Sequence, residues 1–189
     1  MRFRRLFFLA GFFTLILAEM ACTINIGGSV YPSQSIPVST EAIGDLQSAL
    51  ETAIANGAIS GQVTLNITES QLSSYLSYKL RFQAQPVFTN PQVYLQDGEL
   101  QIIGTATRGY FQTTVKIVFR AGVDEQGQLK IELISADFGP LPVPNGLLEL
   151  ATTTIQDAYT GAIGPLATGF RLLNVTIAEG SMTIVGQTR

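Results

Sequence analysis

The chain has no histidine and no tryptophan, and Cys22 is its only cysteine. Without histidine there is no Ser-His-Asp or Cys-His nucleophile system and no ordinary zinc site. A single thiol cannot close an internal disulfide. Charge is scarce as well, at 13% of the 189 residues, where an average domain carries roughly a quarter. Its balance is acidic, with 11 Lys and Arg against 14 Asp and Glu. Such a chain is poorly suited to a phosphate backbone, so no nucleic-acid partner is expected. Basic runs that would hold anionic headgroups are missing beyond the first few residues.

What is abundant is apolar surface, at 46% of residues. That excludes a disordered chain and allows one domain with a sizeable core.

The N-terminus is organised as a leader. Arg2, Arg4 and Arg5 precede an apolar stretch of 13 residues, 6–18, and Glu19-Met-Ala21 leads into Cys22. The apolar run is short of the roughly 20 residues a transmembrane helix needs, and it fits a secretory signal. This segment resembles a bacterial lipoprotein signal. The resemblance implies that residues 1–21 are removed, that Cys22 becomes the lipidated first residue, and that the protein is exported to the outer face of a bacterial membrane. Ala21 fits that pattern, whereas Glu19 stands where such signals usually carry an aliphatic residue. Removing the leader takes away three arginines and one glutamate and moves the formal charge from −3 to −5. Residues 22–39 are rich in Gly, Ser, Pro and Thr and read as a flexible tether.

Residues 40–189 read as a single α+β domain. Thr40 can cap a helix that carries Leu46, Leu50, Ala53 and Ile54 on one face and stops at Asn56-Gly57. Val63, Leu65 and Ile67 alternate as a half-buried strand. Thr68-Glu-Ser-Gln71 has capping-box spacing and opens a short helix with Leu72, Tyr75, Leu76 and Leu80 inward. From Val93 onward the pattern is β. Val93 and Leu95 lead to Asp97-Gly98, and Leu100 and Ile102 lead away, which is a strong hairpin signal. Val115, Ile117 and Phe119 continue the apolar face, and Leu129, Ile131 and Leu133 return after a second turn at 124–127. This is an antiparallel meander with one apolar face.

Three alternating prolines at 140, 142 and 144 break the ladder. Asn145 can cap a second, long helix whose stripe includes Leu147, Ala151, Ile155 and Tyr159. A helix so apolar calls for cover on more than one side, and a sheet curved around it would supply that. Residues 175–186 match 93–104 position for position, acidic-Gly turn and final Gly included. Any two hairpins closed by such a turn converge on this pattern.

The order of an N-terminal helix, the Thr68-Glu-Ser-Gln-Leu72 helix start, the 93–104 hairpin and Gly139-Pro-Leu-Pro-Val-Pro144 before a helix resembles the YpmS-like family of exported bacterial proteins. More distantly it resembles the tubular lipid-binding, or TULIP-like, domains. That resemblance implies a curved antiparallel sheet wrapped around a long apolar helix, with lipid or another apolar ligand held between them. The groove would draw on Val93, Leu95, Leu100, Ile102, Val115, Ile117, Phe119, Leu129, Ile131, Leu133, Leu147, Ala151, Ile155 and Tyr159. Phe82, Phe88, Tyr94, Tyr110 and Phe111 would rim its opening.

Catalysis is not expected, and neither is a metal or cofactor. The carboxylate pairs Asp97 with Glu99 and Asp124 with Glu125 sit at turns, where such residues serve geometry and solubility. Two functional readings stay open: a membrane-tethered lipid-binding lipoprotein, and an envelope interaction or scaffold module whose apolar faces fill one another.

Overall fold

The computed structural model describes residues 24–81, 88–140 and 170–188. Its elements, in chain order, are β1 (Ile24–Gly28), α1 (Thr40–Ser60), β2 (Gln62–Thr68), α2 (Glu69–Arg81), β3 (Phe88–Gln96), β4 (Glu99–Arg108), β5 (Phe111–Val123), β6 (Leu129–Asp137), β7 (Phe170–Ala178) and β8 (Ser181–Thr188). One sheet runs β1-β5-β4-β3, with β6 also paired to β5. Strand β1 is parallel to the start of β5, and β6 is antiparallel to the rest of it. The second sheet is antiparallel, in the order β2-β8-β7.

The expected architecture is overturned. The described residues are 53% strand and 26% helix, and no long apolar helix with a sheet wrapped around it is seen among them. The apolar faces of the meander are covered by the other sheet instead. Val93, Leu95, Ile102, Val115, Ile117 and Phe119 share one buried cluster with Val63, Leu65 and Ile67 of β2 and with Leu172, Ile177, Met182 and Ile184 of β7 and β8. Helices α1 and α2 complete the cover through Leu46, Leu50, Ile54, Leu72 and Leu76. A sheet-on-sheet core of this kind needs no central helix. The stripe of Leu147, Ala151, Ile155 and Tyr159 lies outside the described residues.

Helix α1 begins one residue earlier and ends a turn later than its spacing suggests. Ser39, in extended conformation, is the cap, and its hydroxyl accepts from the Ala42 N–H at 3.1 Å. The chain passes through Gly57 and stops at Gly61, which is left-handed at φ 76° and donates its N–H to the Gly57 carbonyl. Gly57 serves packing: a Cβ there would lie 2.7 Å from the Phe170 ring. The capping box at the start of α2 forms in both directions. The Thr68 N–H donates to Gln71 Oε1 at 2.9 Å, and the Gln71 N–H to Thr68 Oγ1 at 3.3 Å.

The two similar hairpins share more than their turns. Asp97-Gly98 has φ of 55° and 77°, and Glu179-Gly180 has 47° and 81°, so both are turns of the I′ kind that right-twisted strands require. Each hairpin opens on a buried phenylalanine nine positions before the acidic residue, Phe88 and Phe170. Register slips in both within the first half of the leading strand, between Thr89 and Gln92 and between Leu172 and Asn174. A matching bulge and a matching aromatic go beyond what a shared turn demands, and identify an internal structural repeat.

Candidate interaction surfaces

Residues 24–39, read as a tether, lie on the domain. Ile36 is buried with Tyr94 and Ile103 on the outer face of the first sheet, and Tyr31 packs against them. The Tyr31 hydroxyl donates to the Asn90 carbonyl at 3.2 Å, and the Tyr94 hydroxyl to the Gln34 carbonyl at 2.9 Å. The Gln92 side chain accepts from the Ile36 N–H and donates to the Ile36 carbonyl, as a neighbouring strand would. Burial pushes both hydroxyls above the ordinary tyrosine value, and at Tyr94 the Glu69 carboxylate adds to it. Glycine and serine let this arm follow the sheet; its few apolar side chains hold it there.

The outer edge of β3 is closed. The Val93 N–H donates to Ser73 Oγ at 2.8 Å and the Leu95 N–H to Glu69 Oε1 at 2.7 Å. Gly180, in the turn of the other sheet, donates to the Leu95 carbonyl at 2.9 Å. Ser73 and Ser74 are fully buried, the second accepting from the Ser39 N–H at 3.0 Å. An edge strand so capped cannot recruit a further strand at those positions.

The fourteen groove candidates separate into four groups. Val93, Leu95, Ile102, Val115, Ile117 and Phe119 are buried core, and Leu100, Leu129 and Ile131 are half-buried against it. Leu133 is 47% exposed. The remaining four lie outside the described residues. Of the rim candidates, Phe88 and Tyr94 are buried, Phe82 is outside the described residues, and Tyr110 and Phe111 are exposed. An open depression of about 500 Å³ lies between arm residues 32–37, the first turn of α2 and Tyr94. Another of about 400 Å³ lies between Val38, Arg81 and Phe88. Both are lined by polar as well as apolar groups.

The carboxylate pairs are turn residues. Asp124 Oδ1 accepts from the N–H groups of Gln126 and Gln128 at 3.0 and 2.7 Å, Asp97 is the first residue of a hairpin turn, and Glu99 meets Arg120 at 3.5 Å in an exposed ion pair.

Among the described residues, exposed large apolar side chains are consecutive in sequence in two places. Strand β6 presents Leu133 and Ile134, 47% and 42% exposed, where its register with β5 slips beside Phe119. A bulge of this kind re-aims side chains out of the ladder. Where β4 turns into β5, Tyr110 and Phe111 are 72% and 45% exposed, beside Ile24 of β1 at 54%. The sequence marks the second place, two adjacent aromatics after a glycine, but not the first, which depends on a register slip. Among the described residues no helix is long and apolar enough to cross a membrane.

No protein-family model matches the chain. No curated protein matches it either. A solved structure titled "Crystal structure of lipopolysaccharide binding protein" is similar over 80% of this chain and 48% of that one, at 9% identity and a TM-score of 0.19. The chain thus spans about half the length of that structure, and a likeness at that score does not amount to a shared fold.

Proposed function

We propose that this chain is a non-catalytic lipoprotein of the cell envelope, anchored through Cys22, whose domain works as an interaction module at the outer face of the membrane. The observation that carries the reading is the burial of the groove candidates in the core between the two sheets. Six side chains that would line a lipid groove are buried against the second sheet. What the domain offers a partner is surface, and strand β6 contributes to it two consecutive exposed apolar side chains at its bulge, Leu133 and Ile134. Side chains of that size, exposed together, contribute binding energy when a partner covers them.

Native mass spectrometry of the mature protein, extracted in mild detergent, separates this from lipid carriage. The expected mass is the chain plus the acyl groups on Cys22; a non-covalent adduct of lipid mass would return the function to lipid binding. In cells, a photo-crosslinker at Ile134 is expected to give one discrete adduct that Leu133→Glu abolishes without lowering the amount of folded protein. An adduct pattern indifferent to that change removes β6 as the contact surface.

A further inference from the structure

The arm that reads as a spacer is in fact docked, and this changes where the domain sits. Strand β1 starts at Ile24, two residues after Cys22, so the anchor point is within about 7 Å of the sheet along the chain. Ile24 is not in the interior. It pairs with Phe111 in the parallel register and donates its N–H to the Tyr110 carbonyl at 2.9 Å. The turn between β4 and β5 therefore stands beside the first residues of the mature chain, with Ile24, Tyr110 and Phe111 all exposed.

We propose that this hairpin tip, Tyr110 and Phe111 together with Ile24, seats in the interfacial layer of the membrane that holds the Cys22 acyl chains. The docked domain then stands on the bilayer in one fixed orientation. Tyrosine belongs at that depth, its ring among the headgroups and its hydroxyl hydrated, and phenylalanine buries its ring at the boundary between headgroups and acyl chains. Charge agrees with the placement. In an acidic chain, residues 100–123 contain no Asp or Glu, and neither do residues 20–40. The two segments that form the tip thus bring no carboxylate to be repelled by anionic headgroups. Tip and anchor are two signals acting together, and a single-sided anchor gains residence from a second one. The β5–β6 turn lies at the other end of β5, whose 13 residues span about 40 Å at roughly 3.3 Å each. It is held away from the bilayer.

The inference rests on the reading of Cys22 as the anchor, and one preparation tests both. The chain has no tryptophan, so Tyr110→Trp makes a single reporter of the tip and Gln126→Trp a single reporter of the far turn. The full-length protein, processed in cells, is reconstituted into phosphatidylethanolamine and phosphatidylglycerol vesicles, with and without lipids brominated near the headgroup. Intact mass establishes whether Cys22 is acylated. The expected result is an acylated chain, with Tyr110→Trp emission shifted to the blue and largely lost on brominated lipid, and Gln126→Trp emission unchanged. Ile24→Trp is expected to follow Tyr110→Trp. If Cys22 is acylated and neither tip reporter is quenched, the seating is wrong while the anchor stands. If Cys22 is bare, the anchor reading falls and takes the seating with it. Quenching of Gln126→Trp as strongly as the tip overturns the fixed orientation.

Discussion

Asp137, at the end of β6, shows how one side chain joins separate parts of the chain. Its Oδ2 accepts from the Ser29 hydroxyl at 2.6 Å and its Oδ1 from the Gly139 N–H at 2.8 Å. The first bond ties the residue after β1 to β6, so that two strands sharing one edge of β5 are pinned where they meet. Gly28 and Gly139 make that meeting possible, since a Cβ on Gly139 would lie 2.8 Å from the Gly28 Cα. Both hydrogen bonds favour the ionised carboxylate, and they hold Asp137 below its ordinary value of 3.8, the serine bond more than the backbone one. A carboxylate with a depressed native value stabilises fully above its ordinary pKa and loses that contribution as pH falls through the native one. Holding β1 in place is therefore expected to be constant at neutral pH and to weaken only below about 4. Following the Asp137 carboxyl by NMR checks this: the native titration should lie below 3.8, and Ser29→Ala should move it upward. A wild-type titration at the ordinary value would mean that the Ser29 contact does not persist in solution.

At the level of elements, α2 has two tasks, and only one of them is written as hydrophobic spacing. Leu72, Leu76 and Leu80 face the core, as their periodicity suggests. Ser73 and Ser74 sit on a buried face that the pattern assigns to water. They are there because an edge strand needs acceptors for its N–H groups, and that need comes from the partner element, invisible in the helix itself. Ser73→Ala would strand the Val93 N–H away from water, costing about 1–3 kcal/mol. Ser70→Ala removes only an exposed bond to the Pro37 carbonyl and should cost less than about 1 kcal/mol. Urea midpoints of the two variants decide this; equal midpoints would mean that α2 does not seal β3. The same contrast runs through the fold. Strand β2, the capping box and the Asp97-Gly98 hairpin were legible because local chemistry alone determines them. The end of α1 was misplaced because Gly57 and Gly61 look alike in sequence, and only the neighbouring Phe170 ring tells packing from stopping. Six of the groove candidates are buried and three are half-buried against the core. Their partner was not legible, because a strand face does not record whether a helix or another sheet will cover it.

For the whole molecule, the decisive relation is between the arm and the core. The main cluster joins both sheets and both helices, whereas Ile36, Tyr94 and Ile103 form a separate small cluster on the outer sheet face. Arm and core are therefore distinct units of burial, and the arm is the weaker of the two. An undocked arm of residues 23–39 would reach on average some 20–25 Å as a flexible chain, long enough to lift the hairpin tip off a bilayer. A docked arm holds it down. Ile36→Asp puts a carboxylate into the small cluster without touching the main one, since Ile36 belongs only to the former. An unpaired charge there is disfavoured enough to release the arm. Limited proteolysis is expected to cut the variant quickly within residues 30–38, while the thermal midpoint of the remaining domain moves little. In vesicles, the same change should expose a Tyr110→Trp reporter to water even though the acylated chain stays membrane-bound. If the arm and the core of the variant unfold together instead, the arm is an integral part of the domain, and its docking cannot be what sets the height of the tip above the membrane.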